Sequence, residues 1–327
     1  MKKIIFVGIL FFLVIFAVSV FSGGVKINFD DFIGIFDKNT DSDLIKLIIF
    51  DVRLPRIIMA LLTGMMLASS GTVMQTVFQN PLADPYIIGI SASATFGAVI
   101  AFLFNLPDYM YGVLAFFSSV AVSFIIFNIS KSGKKTNTAT LLIVGIAVSS
   151  FLSAFTSFAM YLVGEDSFKI IMWTMGYLGG ASWRKVILMI FPLAVSVFVF
   201  IMNRNELDAL LSGEEEAHSL GVSVEKLKKT MLITSSLTVA FSVAFTGMIG
   251  FVGLIIPHII RMIMGSSNSK LIPLSTFFGG IFLMAADTIS RTILAPVEIP
   301  IGVVTSFFGA PFFLYLALKA KRGHFDK

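Results

Sequence analysis

The sequence holds 327 residues, of which 57% are hydrophobic and only 13% charged, with a net charge of +5 and no cysteine. Its mean hydropathy is +0.94, whereas a water-soluble chain carries about 25% charged residues and exposes apolar surface at about 25 cal/mol per Å². A soluble globular fold is therefore excluded, as are disulfides and thiolate metal sites. The net positive charge fits basic loops on one side of a bilayer. It does not indicate nucleic-acid binding, since no basic patch interleaved with aromatics occurs. In lipid every backbone group must be satisfied internally, so the spans are helices; the strict alternation of a membrane barrel is absent.

Taken in chain order, apolar stretches of about 17–25 residues mark the spans. The first, 3–22, resembles a secretory leader. Its apolar run exceeds the usual core of about 7–15 residues and no A-x-A site closes it, so it reads as a transmembrane helix. A segment of mixed charge, 23–56, ends on Arg53-Leu54-Pro55-Arg56. The second span, 57–77, is followed by residues 78–86, whose Pro81 and Pro85 break any helix there. Next come 87–104, 110–128 and 139–162, the last opened by a polar run from Thr136 to Thr140 with N-capping character. Span 186–202 leads into the longest loop, 203–229. Its glycine-bounded core, Gly213 to Gly221, reads as a short helix outside the lipid. Spans 230–248, 252–264, 272–290 and 302–319 complete the set. The stretch 252–264 is too short to cross unaided and is predicted to pair with 230–248 through a turn at Gly250 and Gly253. In the ninth span Asp287 and Arg291 are spaced for an i,i+4 ion pair. Glu298 stands ahead of the last span, where it complements a helix dipole. Thr63-Gly64-Met65 with Gly71 resembles Thr246-Gly247-Met248 with Gly253, a candidate internal repeat.

The chain is thus an all-α polytopic membrane protein of about ten transmembrane helices, one membrane domain over 1–327. With the N-terminus inside, fifteen of the 24 Lys and Arg residues fall on inside loops and nine outside. Both termini are accordingly predicted in the cytoplasm. No P-loop, G-x-S-x-G, paired catalytic carboxylates or H-E-x-x-H occurs, and His218, His258 and His324 lack ligand spacing. The chain reads as no enzyme and binds no metal or cofactor. An ion-gradient-driven secondary transporter would need several buried midplane acids, and Asp287 is nearly alone.

The punctuating residues form an ordered set. They run Arg53-Leu54-Pro55-Arg56, then Asn80-Pro81-Leu82-Ala83-Asp84-Pro85, the glycine-bounded acidic helix, and the stretch from Gly247 through Gly253 and Pro257-His258 to Arg261. Asp287, Arg291, Glu298-Ile299-Pro300-Ile301-Gly302 and Gly309-Ala310-Pro311 close the set. Over residues 50–320 this resembles the FecCD-type permeases of ABC importers, which carry ferric siderophores, haem and cobalamin. The resemblance implies a type II ABC importer permease in the cell inner membrane, working as a homodimer or with a paired homologue. It implies two cytoplasmic ATPases, which hold the ATP and Mg²⁺ and dock on Gly213, Glu214, Glu215, Glu216, Ala217, His218, Leu220 and Gly221. The apolar side of that helix, Ala217 and Leu220, is expected to enter an ATPase groove. An extracytoplasmic substrate-binding protein is implied to dock on Arg53, Arg56 and Arg291, and a cytoplasmic gate to form at Asn80 and Thr138. Two positions depart from the family: Ser93 stands where glycine is frequent, and Ala139 where the gate carries a second hydroxyl. Iron–siderophore is the favoured cargo, with haem and cobalamin beside it, and a small, apolar path lining is expected.

Overall fold

A computed structural model describes residues 2–25, 27–28, 42–86, 88–132, 135–136 and 138–325. Within them the chain forms α1 (Lys2–Phe21), α2 (Ser42–Leu47), α3 (Leu54–Val77), α4 (Ile90–Leu103), α5 (Tyr109–Ile129), α6 (Thr138–Val163) and α7 (Phe168–Thr174). There follow α8 (Trp183–Met202), α9 (Arg204–Leu210), α10 (Glu214–Ser219), α11 (Val224–Thr246), α12 (Val252–Met264), α13 (Asn268–Thr292) and α14 (Ile301–Phe325). A π-helical turn, Ile48–Arg53, carries α2 into α3. Two-residue strands, Lys131–Ser132 and Lys135–Thr136, make the one short ladder among the described residues.

Each of the ten predicted apolar stretches is a helix. Seven are long and apolar enough to cross a membrane, and Ile90–Leu103, Val252–Met264 and Ile301–Leu316 are shorter. The helices are not equivalent. In the span containing α3, 83% of the most apolar window is buried, against 17–22% in α1, α5, α6 and α8. α3 is the mast of the bundle, packed by α13, α11, α12 and α8. Its sequence explains this. Small and hydroxyl residues crowd Gly64 to Thr72, and their side-chain hydroxyls turn back on the helix: Thr72 Oγ1 donates to the Ala68 carbonyl at 2.9 Å and Thr76 Oγ1 to that of Thr72 at 3.0 Å. Neighbouring backbones then approach closely, the association mode of helices in lipid. A Cβ on Gly64 would collide with the carbonyl of Gly279 in α13, and one on Gly71 with that of Gly253 in α12.

That second contact corrects the expected pairing of the short eighth span. Among the described residues α12 packs chiefly against α3 and α13, with no comparable packing against α11. The turn before it uses left-handed backbone at Gly247 (φ +67°) and Phe251 (φ +69°), while Gly253 lies inside the helix. The candidate repeat also dissolves. Gly64 and Gly71 lie within α3, whereas Thr246 and Gly247 end α11. The long loop is shorter than read, because α11 begins at Val224, and it holds two helices, α9 and α10.

Helix is interrupted inside the bundle as well as at its ends. The first turn of α12, just past the 247–251 turn, lies against Leu67 and Gly71 of α3 through Gly253, which is also close to Pro85. Those α3 residues stand six to ten positions from the helix end at Val77, or about 9–15 Å at 1.5 Å per residue. The Tyr86 hydroxyl donates to the Ile249 carbonyl at 3.2 Å, joining the 78–89 segment to this turn. The Gly302 N–H, at the start of α14, donates to the Met175 carbonyl at 2.9 Å.

Candidate functional site

These interruptions face a cavity of about 720 Å³. Tyr86, Ser91, Met248, Gly302, Val303 and Ser306 are among the residues that line it. Gly302 is required there, since a Cβ would press on the carbonyl of Met175. Non-helical backbone at such depth is tolerated where it lines a cavity or is buried in protein. The lining side chains are mostly small or apolar, with hydroxyls from Tyr86, Ser91, Thr174 and Ser306.

One end of the bundle gathers arginines. Arg53 follows from the π-helical turn, Pro55 occupies the first turn of α3, and Arg56 is one residue on. Arg56 Nε donates to Asp287 Oδ1 at 2.9 Å, and its Nη1 to both oxygens of Glu298 at 2.8 and 3.0 Å. Arg291 Nε lies 3.4 Å from Asp287 Oδ2, the i,i+4 pair read from sequence. Arg291 Nη2 also donates to the Ser19 carbonyl, and Arg53 to the carbonyls of Val20 and Val25. The cluster thereby ties α1, α3, α13 and the approach to α14 together. Arg53, Arg56 and Arg291 are 4%, 7% and 4% exposed. They converge, but in this conformation each is turned inward. Glu298, with a side chain 38% exposed, is the member open to solvent. It serves Arg56, not the dipole of α14, which begins three residues later.

The opposite end carries the loop helices. α10 is framed by Gly213 (φ +128°) and Gly221 (φ +86°), positions that favour glycine. Ala217 is fully buried beneath it, in a cluster with Leu207, Leu210, Val224 and Leu227. Leu220 is 72% exposed. The two residues expected on one apolar side therefore diverge. Glu214 pairs with the buried Lys228 of α11. Glu214, Glu215, His218 and Ser219 line one wall of an open cleft, with Ser223 and Lys226 opposite. Asp208 of α9 braces this end, accepting from the Asn268 N–H at 2.6 Å and from Ser267 Oγ at 2.9 Å. Gln79 donates to the Leu210 carbonyl.

Asn80, also at this end, is exposed, and its Oδ1 accepts the Leu82 N–H at 2.9 Å in a local turn. Thr138 begins α6. Its side chain, with Asn137 and the loop charges Lys26, Lys38 and Lys134, lies outside the described residues. Half-buried Asp84 accepts the Tyr86 N–H at 2.7 Å. Burial lifts its carboxyl to about 6, with the Tyr86 N–H pulling the other way. Among the described residues no cluster of His, Asp or Glu could hold a metal ion. The sequence offered no sign of the Asp208 brace or of the 2.6 Å bond from Arg261 Nη1 to Gln75 Oε1. Their partners lie 60 and 186 residues apart.

The model of the FecCD transport family matches residues 10–319. The chain is 41% identical to the cobalamin import system permease protein BtuC of Halobacterium salinarum, over 83% of this chain and 73% of that one. It is 38% identical to the hemin transport system permease protein HmuU of Yersinia pestis, over 83% of each. A solved chain described as an inward-facing metal-chelate type ABC transporter superposes with a TM-score of 0.86 at 31% identity, covering 98% of this chain and all of that one. The chain belongs to the FecCD transport family, a multi-pass membrane permease family of ABC transporters.

Proposed function

We propose that this chain is the membrane subunit of a binding-protein-dependent importer, moving a metal chelate by ATP-driven alternating access. The observation that carries the reading is the cavity of about 720 Å³ where the 78–89 segment, the 247–251 turn and the start of α14 meet. A broken-helix level inside a bundle suits a path for solute. A second copy, or a paired homologue, closes the open side of that cavity. The loop end, with α10, receives two cytoplasmic ATPases that hold ATP and Mg²⁺. The arginine end receives the extracytoplasmic binding protein, and Arg53, Arg56 and Arg291 become available to its carboxylates as the internal pairs exchange. Asn80 and Thr138 gate the cytoplasmic exit, and both termini lie on that side. Iron–siderophore, haem and cobalamin are the cargo class, with iron–siderophore favoured.

Asp287 is the one carboxylate in the buried set among the described residues, and two arginines neutralise it. Paired in this way, Asp287 is not a free site for a proton relay. The test is reconstitution with the ATPase and binding protein in proteoliposomes. Labelled ferric siderophore, haem or cobalamin should accumulate only with ATP and the binding protein present. Accumulation by the chain alone under an ion gradient would overturn the reading.

A further inference from the structure

Between α5 and α11 runs a second groove, with about 140 Å³ of free volume and a lining separate from that of the cavity. Each wall is a helical stripe: Val120, Phe124 and Phe127 on α5, and Lys229, Ile233 and Leu237 on α11. Phe124 is 66% exposed and Ile233 and Leu237 41% and 40%, so the groove faces outward from the bundle. Its one charged lining residue, Lys229, lies at the loop end, beside Phe127 near the end of α5. Lys229 is exposed and makes no ion pair among the described residues. The adjacent Lys228 is buried and bound to Glu214, so the pair of lysines divides into a structural and an outward-facing one. The chain leaving α5 adds Lys131 and Lys135 in sequence at the same end.

The dimensions select the occupant. Eight residues separate Lys229 from Leu237, a run of about 12 Å at 1.5 Å per residue. One leaflet of hydrocarbon is about 15 Å deep, half of the ~30 Å core. A packed transmembrane helix would need a groove running the full core. We propose that the groove binds an anionic phospholipid, one acyl chain lying between α5 and α11 and the phosphate paired with Lys229. Basic sites between membrane helices favour such headgroups. Only the choice of leaflet depends on the orientation proposed above.

Native mass spectrometry of the full chain in mild detergent tests this, with phosphatidylglycerol and phosphatidylcholine of identical acyl chains as probes. The expected result is preferential retention of phosphatidylglycerol. Lys229→Ala should weaken that preference about fivefold, as loss of one basic contact predicts, and Lys229→Arg should keep it. Ser236→Leu, which fills the groove, should reduce retention of both lipids; if that variant does not fold, the two Lys229 variants carry the test alone. Equal retention of the two lipids by the natural chain would overturn the proposal. So would a preference that survives Lys229→Ala, or loss of bound lipid when two copies assemble over the groove.

Discussion

Arg56 is held by two carboxylates at once, Asp287 from α13 and Glu298 ahead of α14. Removing one partner of a buried ion pair leaves the other charge uncompensated, at a cost of about 3–5 kcal/mol. Asp287 is the one carboxylate paired with buried Arg291 among the described residues, so Asp287→Ala should lower the melting temperature sharply, read by the fluorescence of Trp173 and Trp183 in detergent. Glu298 is the partly exposed partner, and it competes with any external carboxylate for Arg56. Under the docking proposal, Glu298→Gln should raise affinity for the binding protein several-fold, measured by titration at low salt. An unchanged or weaker affinity would remove Arg56 from the docking surface. Asp84 supplies a pH test. Its folded-state pKa, about 6, lies above the ordinary 3.8, so the charged form is the costly one. The cost is absent below pH 4, grows from pH 4 to 6 and is complete above. Asp84→Asn keeps an acceptor for the Tyr86 N–H, so it should raise the melting temperature at pH 7 and leave it unchanged at pH 4.

At the level of elements, α10 and its C-cap present two apolar residues with opposite duties. Ala217 is sealed against its own chain and Leu220 is open. Overpacking a filled site costs about 1–3 kcal/mol, so Ala217→Leu should lower the melting temperature. Leu220→Asp should leave stability intact and reduce capture of the ATPase in a pull-down. If Leu220→Asp retains full ATPase binding, the docking surface lies elsewhere on the loop. A six-residue helix is too short for periodicity to tell its two sides apart, which is why sequence placed both residues together. The spans themselves were legible, because bilayer thickness sets the length of an apolar run. The Asp287–Arg291 pair was legible because it is local. The seating of α12 was not, since it depends on Gly71 meeting Gly253 across the fold. Nor was the inward turn of Arg56, whose partners come from the far end of the chain.

For the molecule as a whole, α14 is the long helix beside the cavity with an open flank. Phe307 is 76% exposed and Leu314 63%, on a helix that packs on α13 and α12 alone among its stronger contacts. The proposed second copy covers this face. The chain has no cysteine, so Phe307→Cys introduces a single thiol. Mild oxidation should link two copies through it, while Phe124→Cys, on the lipid-facing groove, should stay monomeric on a denaturing gel. Equal cross-linking at both sites would place the contact between copies elsewhere. The central position of α3 also bears on how the protein is made. Arg56 emerges from the ribosome 231 residues before Asp287, an interval of about 12–46 s at 5–20 residues per second. Through that time the most buried helix of the finished bundle has none of its late partners. It enters the bilayer early, carrying a cation without its carboxylate partners and a stripe of small residues without cover until α12 and α13 arrive.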